Sequence, residues 1–274
     1  MNSRPQPVGA SLVDAHTRTM TNILDSFRLD GKVAIVTGAS RGLGAAMAQA
    51  YAETGADLVL VARGDMSALQ KTIAAAGRRS VVVAADVGQP AAAAQIVAAA
   101  YAAFGRADIL VNNAGIIRRA NLLEFSEADW SEVLNVNLTG AFRLSQRFAA
   151  ELVARQSPGK IINIASMLSF QGGVRVVSYT AAKSALAGLT RAMANELAPS
   201  DINVNAIAPG YMATDNTAAL QADPVRNRAI LDRIPAGRWG TPADLAGAAV
   251  FLAAPASDYM QGHVLAVDGG WLVR

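Results

Sequence analysis

From Leu29 onward the chain alternates short runs of β-branched residues with longer alanine-rich stretches, and this alternation constrains the fold more than any other feature. Strands are predicted at Val33–Thr37, Leu58–Ala62, Ser80–Ala85, Ile109–Asn112, Ile161–Ala165, Asn203–Ile207 and Val264–Val267. Helical stretches lie between them at Gly42–Thr54, Met66–Ala76, Pro90–Phe104, Glu127–Arg155, Tyr179–Leu197 and Pro242–Ala253. Strands that are apolar along nearly their whole length need cover on both faces, which a parallel sheet with helices on either side provides. Right-handed crossovers then predict an α/β, doubly wound parallel sheet of about seven strands. Hydrophobic residues make up 52% of the chain but aromatics only 5%, so helices can pack closely on such a sheet.

No linker-like stretch divides this pattern, so a single domain is expected over residues 29–274. Tyr211–Gly240 interrupts the alternation with Pro224, Pro235 and several arginines, and reads as a mobile flap before the last helix. Residues 1–28 read as a flexible N-terminal extension that lacks the apolar core of a signal peptide, and Met20 reads as the natural start. No stretch reaches about 18 uncharged apolar residues, so no membrane span is expected. The chain has no cysteine, which excludes disulfides, thiolate nucleophiles and thiolate metal sites and fits a cytoplasmic location. His16 and His263 stand in unrelated contexts, and no metal site is expected. Net charge is +3, but the arginines are scattered and few aromatics are present to stack bases, so nucleic acid is not an expected partner.

The first strand runs straight into Thr37-Gly38-Ala-Ser-Arg41-Gly42-Leu-Gly44 and then into a helix. Glycines at such a turn let the backbone approach a pyrophosphate, whose charge the helix N-terminus meets. The spacing is Gly-x-x-x-Gly-x-Gly, and its place between strand and helix makes this a Rossmann-type nucleotide site. The second strand ends at Ala62-Arg63. An acid there would hold a ribose 2′-hydroxyl; Arg63, with Arg41 in the loop, favours a 2′-phosphate instead. NADP is therefore the favoured cofactor, with NAD as the alternative.

Tyr179 and Lys183 stand four residues apart, one helical turn, so both side chains share a face. An adjacent ammonium favours the phenolate and is expected to lower the tyrosine pKa, making Tyr179 a proton donor or acceptor for an alcohol or carbonyl. Ser166 precedes the pair in the loop after the fifth strand.

With Asn112-Asn113-Ala114-Gly115 after the fourth strand and Pro209-Gly210 after the sixth, the chain from about Leu29 to its end resembles the short-chain dehydrogenase/reductase superfamily. The resemblance implies a catalytic set of Asn137, Ser166, Tyr179 and Lys183. Tyr179 would be the general acid–base, and Lys183 would hold the nicotinamide ribose. Ser166 would orient the substrate oxygen, and Asn137 would hold a water in the proton relay. It further implies cofactor contacts from Gly38, Ser40, Arg41, Gly42, Leu43 and Gly44, from Arg63, from Asp86 and Val87 at the adenine, from Asn113, Ala114 and Gly115, and from Pro209, Gly210, Met212 and Thr214 at the nicotinamide end. A homotetramer is also implied.

Asn163–Gly173, Arg175, Ile116–Arg119, Glu124–Ser126 and Ala208–Ala213 are similar, more narrowly, to the 2-deoxy-D-gluconate 3-dehydrogenases, also called 2-dehydro-3-deoxy-D-gluconate 5-dehydrogenases. That likeness implies a keto-deoxy sugar-acid substrate. Guanidinium and amide groups suit its carboxylate and hydroxyls, and Arg118, Arg119, Gln171 and Arg175 lie in the loops after strands four and five. Arg118, Gln171 and Arg175 are the expected substrate contacts, with Arg175 or Arg118 on the carboxylate. The alternatives are a 3-oxoacyl-carrier-protein reductase or broad ketone reductase, and a non-catalytic nucleotide sensor, which would have no need of Ser166, Tyr179 and Lys183 together.

Overall fold

Alternate residues of each strand feed two separate cores, because successive side chains of a strand point to opposite faces. In the computed structural model, which describes residues 22–274, Val33 and Ile35 face one side with Val59, Val61, Leu110, Ile161 and Val204. Ala34 and Val36 face the other with Leu58, Leu60, Val111, Ile162 and Ile207. The strands are β1 (Val33–Thr37), β2 (Asp57–Ala62), β3 (Ser80–Ala84), β4 (Ile109–Asn112), β5 (Gly159–Ile164), β6 (Ile202–Pro209) and β7 (Val264–Val267). All pairings are parallel, in the order β3-β2-β1-β4-β5-β6-β7. The doubly wound parallel sheet expected from the alternation is thus present.

The helices are α1 (Gly42–Glu53), α2 (Ser67–Ala75), α3 (Ala92–Phe104), α4 (Glu127–Leu134), α5 (Gly140–Ala154), α6 (Val177–Leu197), α7 (Ala218–Ala222), α8 (Pro224–Leu231) and α9 (Pro242–Ala253). Helices α1 and α9 cover one face, with Met47, Tyr51, Leu245 and Ala249 in that core. Helices α3, α5 and α6 cover the other, with Ile96, Val97, Phe148 and Ala194. The chain builds outward from β1 through β2 to β3, then restarts on the other side of β1 with β4. Loops leaving the carboxyl ends of β1 and β4 diverge, and a crevice opens between them.

Three expectations change. The helix predicted over Glu127–Arg155 is interrupted by a π-helical turn at Asn135–Thr139, where the Gly140 N–H donates to Asn135 O. A Cβ on Gly140 would lie 2.6 Å from Val87 O, so the bare glycine at the end of this turn lets the loop after β3 approach the helix backbone. Tyr211–Gly240, where no helix was predicted, carries α7 and α8, and its stems are joined by Ala213 N–H donating to Gly240 O (2.7 Å) and Gly240 N–H donating to Tyr211 O (2.9 Å). Residues 22–28, placed in the extension, form a 3-10 turn at Ile23–Phe27: Asn22 Oδ1 accepts from Leu24 N–H (3.0 Å), and the Phe27 ring lies 6.2 Å from that of Phe251 on α9. Met20 and His16 lie outside the described residues. Among the described residues no helix is long and apolar enough to cross a membrane, and no acidic, His or Cys group could hold a metal.

Candidate active site

The turn from β1 to α1 is shaped by what its glycines lack. Gly38 has φ +66°, and a Cβ there would sit 2.8 Å from Asn113 Nδ2 and 3.0 Å from Ala114 Cα. A Cβ on Gly44 would run into Gly38 O. Any side chain at either position would occupy backbone space, and the open face of the turn is left to a ligand. Asn113 locks this geometry from β4. Its Nδ2 donates to Thr37 O (2.8 Å) and Gly38 O (3.2 Å). Thr37 Oγ1 accepts from Asn113 N–H (2.9 Å) and Ala114 N–H (3.0 Å) while donating to Val111 O (3.0 Å). Asn113 therefore acts chiefly as a brace between the two loops that form the crevice.

Asn137 sits within the π turn and is 1% exposed. Its Nδ2 donates to Ile116 O (2.8 Å) and its Oδ1 accepts from Ile116 N–H (2.9 Å). Both ends of the amide thus bond to the backbone of Ile116, so Asn137 positions the loop after β4 with its side chain. Below it, Asn112 Nδ2 donates to Ser145 Oγ and Asn163 Oδ1, both at 2.8 Å, and Asn163 Nδ2 donates to Thr190 Oγ1 at 2.9 Å. This buried chain ties β4, β5, α5 and α6 together beneath the site, and fully satisfied networks of this kind fix one arrangement.

Ser166 follows β5 and is buried; its Oγ accepts from Leu168 N–H at 3.1 Å. Because α6 begins at Val177, Tyr179 lies in its first turn and Lys183 one turn later. Lys183 is 3% exposed, donates from Nζ to Ile164 O at 2.5 Å, and stands 5.5 Å from the centre of the Tyr179 ring. Burial lowers the Lys183 pKa to about 8. The Tyr179 phenol is pushed up to about 12 by burial, against the opposing pull of a hydrogen bond with Ser166 and of the Arg119 charge. The expected lowering by Lys183 is thus reversed: desolvation outweighs charge, because the ammonium is aimed at the end of β5 and not at the phenol oxygen. Tyr179 keeps part of its surface open to the cleft, although protein surrounds it closely enough for desolvation to dominate.

The cleft measures about 780 Å³ and runs from Arg63 and Asp65 past the glycine turn to Tyr179, Lys183 and Thr214. Among the expected cofactor residues, Gly38, Ser40, Arg41, Gly42, Leu43, Arg63, Asp86, Val87, Asn113, Ala114, Gly115, Tyr179, Lys183 and Thr214 line it. Gly44 lies behind the turn. Pro209, Gly210 and Met212 lie beside the cleft: Gly210 N–H donates to Val267 O (3.0 Å), and Met212 packs into the apolar core. Asp215, Asn216 and Ile164 line the cleft without having been expected. Arg41 pairs with Asp215 at 3.1 Å and Arg63 with Asp86 at 3.5 Å, both guanidinium groups remaining about three-quarters exposed. A cradle closed to any Cβ, followed by two solvent-facing guanidinium groups, fits a dinucleotide carrying a 2′-phosphate.

The expected substrate contacts fare differently. Arg118 forms a fork with Glu132 (3.0 Å to each oxygen) and adds Asp129 at 3.4 Å, so two carboxylates already neutralise it. Gln171 Oε1 accepts from Trp271 Nε1 (3.2 Å) and Arg233 Nη2 (3.2 Å). Arg175 adopts φ +65°, its carbonyl accepting from Ala120 N–H at 3.2 Å, and it is absent from the charges that Tyr179 and Tyr211 feel. Arg119 instead acts on both tyrosines, and Arg226 and Arg233 act on Tyr211. Among the described residues none of these three pairs with a carboxylate, whereas Arg228 is held by Asp232 and Arg238 by Asp244. Spacing could have separated Arg228 from Arg226 and Arg233. Arg228 has an acid four residues on, while Arg226 and Arg233 have Ile230 and Gly237 there.

Known proteins are similar to this chain in sequence and fold. The family model described as enoyl-(acyl carrier protein) reductase matches residues 38–272. The chain is 56% identical over 252 residues to the 2-dehydro-3-deoxy-D-gluconate 5-dehydrogenase of Dickeya dadantii, covering 92% of this chain and 100% of that one. A crystal structure from Agrobacterium tumefaciens, provisionally described as a 2-deoxy-D-gluconate 3-dehydrogenase with bound NADP, superposes with a TM-score of 0.87 at 54% identity over 91% of this chain and 100% of that one. A gluconate 5-dehydrogenase from Burkholderia cenocepacia, in complex with NADP and tartrate, gives 0.88 at 40% identity over 92% and 100%.

Proposed function

The chain belongs to the short-chain dehydrogenase/reductase family, and from that premise we propose that it interconverts a secondary alcohol and a ketone on a keto-deoxy sugar acid of the 2-dehydro-3-deoxygluconate type, using NADP(H). The observation that carries this reading is a single cleft lined by the glycine turn, Arg41, Arg63, Tyr179 and Lys183, with Ser166 just after β5 hydrogen-bonded to Tyr179. The names of the Dickeya and Agrobacterium proteins support the substrate class, and the NADP held by the Agrobacterium and Burkholderia proteins supports the cofactor.

The cofactor supplies hydride exchange at the nicotinamide ring. The protein supplies the rest. Gly38, Gly42 and the start of α1 receive the pyrophosphate, and Arg41 and Arg63 receive the 2′-phosphate. Lys183, fixed on Ile164 O, holds the nicotinamide ribose. Ser166 Oγ donates to the substrate oxygen and orients it toward Tyr179. A phenol held near 12 is protonated at neutral pH and serves directly as the acid in the reducing direction. In the oxidising direction Tyr179 must shed its proton, so that direction gains with rising pH. Arginines at the substrate end answer the carboxylate of a sugar acid.

We further place the enzyme in the cytoplasm as a homotetramer. Exposed Ala185 and Ala192 on α6, with Phe142 on α5 at 41% exposure, offer faces over which a second copy can pack closely. The substrate proposal is tested by kcat/KM for 2-dehydro-3-deoxygluconate-type acids against acetoacetyl thioesters. A preference for the acids supports it; turnover of thioesters alone would move the chain to the carrier-protein reductases.

A further inference from the structure

Arg233 lies just beyond α8. Its guanidinium stacks on the Trp271 indole, 4.0 Å from the ring centre, and donates from Nη2 to Gln171 Oε1 at 3.2 Å. The same Gln171 oxygen accepts from Trp271 Nε1, so ring, amide and guanidinium fix one another. Tyr211 closes the group, its ring 4.7 Å from that of Trp271 in an edge contact. Trp271 packs with Met167, the residue after Ser166. This platform is therefore built onto the loop that carries the catalytic serine. Arg119, on the loop after β4, is tied by one Nη2 bond to Asn216 O (3.2 Å) and lies near enough to Tyr179 and Tyr211 to act electrostatically on both.

We propose that Arg233, with Arg119, binds the carboxylate of the substrate, and that Gln171 and Trp271 are positioning residues that hold Arg233 flat and aimed. This rests on the sugar-acid reading above and names the residues that read the acid. A guanidinium stacked on an indole and held by one amide has lost much of its rotamer freedom before binding, while its other N–H groups stay available for a bidentate carboxylate. Arg226 has the charge without the fixing contacts. Gln171, expected to touch substrate, acts through Arg233. Trp271 thereby belongs to the substrate site.

The test compares the keto-deoxy sugar acid with its carboxamide, using NADPH. Wild type should favour the acid in KM. Arg233→Ala should raise KM for the acid by about tenfold or more, with the carboxamide nearly unchanged and kcat largely kept. Gln171→Glu keeps the acceptor oxygen but sets a carboxylate against Arg233, so it should also raise KM for the acid alone. Arg233→Lys, which keeps charge and loses the planar stack, should recover part of the loss. An acid preference that survives in Arg233→Ala and Gln171→Glu would overturn the assignment while leaving the sugar-acid reading standing. Equal KM for acid and carboxamide in wild type would overturn that reading and the assignment with it.

Discussion

Lys183 and Tyr179 show how far residue spacing reaches. Their one-turn separation was legible in the sequence, and so was their pairing with Ser166. Their electrostatics were not, because the direction of a pKa shift depends on burial, and burial depends on β5 and the π turn. Folded Lys183 titrates near 8, against 10.5 for the free side chain, so between those values the unfolded chain holds a proton that the folded one has lost. Stability from this group therefore rises with pH across that window. Urea unfolding of wild type and Lys183→Met from pH 8 to pH 10.5 should show wild type gaining on the variant, by at most about 3 kcal/mol. At the other end of the cleft, the double variant Arg41→Ala, Arg63→Ala should lower kcat/KM for NADPH by about tenfold or more and leave NADH within about threefold. Steady-state rates with both cofactors check this; equal losses would show that the arginines do not read the 2′-phosphate.

At the scale of elements, the glycine turn was legible because strand, glycines and helix come in order along the chain. The π turn was not, because the long stretch from Glu127 to Arg155 reads as one helix, and the close approach of Val87 O to Gly140 at the end of the turn involves a loop distant in sequence. The same limit explains Arg118 and Arg233. Proximity to a strand end pointed to Arg118, but Glu132 and Asp129 from α4 take it up. Gly44→Ala should displace Gly38 and the turn, costing about 1–3 kcal/mol of stability and weakening NADPH binding more than tenfold, readable by thermal unfolding and by nucleotide fluorescence titration. Asn137→Ala removes both bonds to Ile116 and should cost about 1–3 kcal/mol, with the loss of activity exceeding the loss of NADPH affinity.

For the whole molecule, the alternation of β-branched and alanine-rich runs was enough for the sheet, because parallel strands buried on both faces leave a continuous apolar signal. It carried no information on the helices of Tyr211–Gly240 or the docking of Trp271, which depend on contacts between distant segments. It also says little about assembly. Ala185→Glu, placing a charge on an exposed alanine face of α6, should dissociate the proposed homotetramer in sedimentation velocity and leave the monomer folded; an unchanged sedimentation coefficient would show that this face does not join subunits.

We propose that Tyr179 transfers the proton in NADP-linked oxidation or reduction of a keto-deoxy sugar acid. The most direct test of this is the change in absorbance at 340 nm with that acid and NADP(H), for wild type and Tyr179→Phe side by side, with NADPH affinity measured on both. We predict turnover by wild type and a fall of about 10²–10⁴-fold in kcat in the variant at nearly unchanged NADPH affinity. Comparable turnover by Tyr179→Phe, or none by wild type in either direction, would contradict the account.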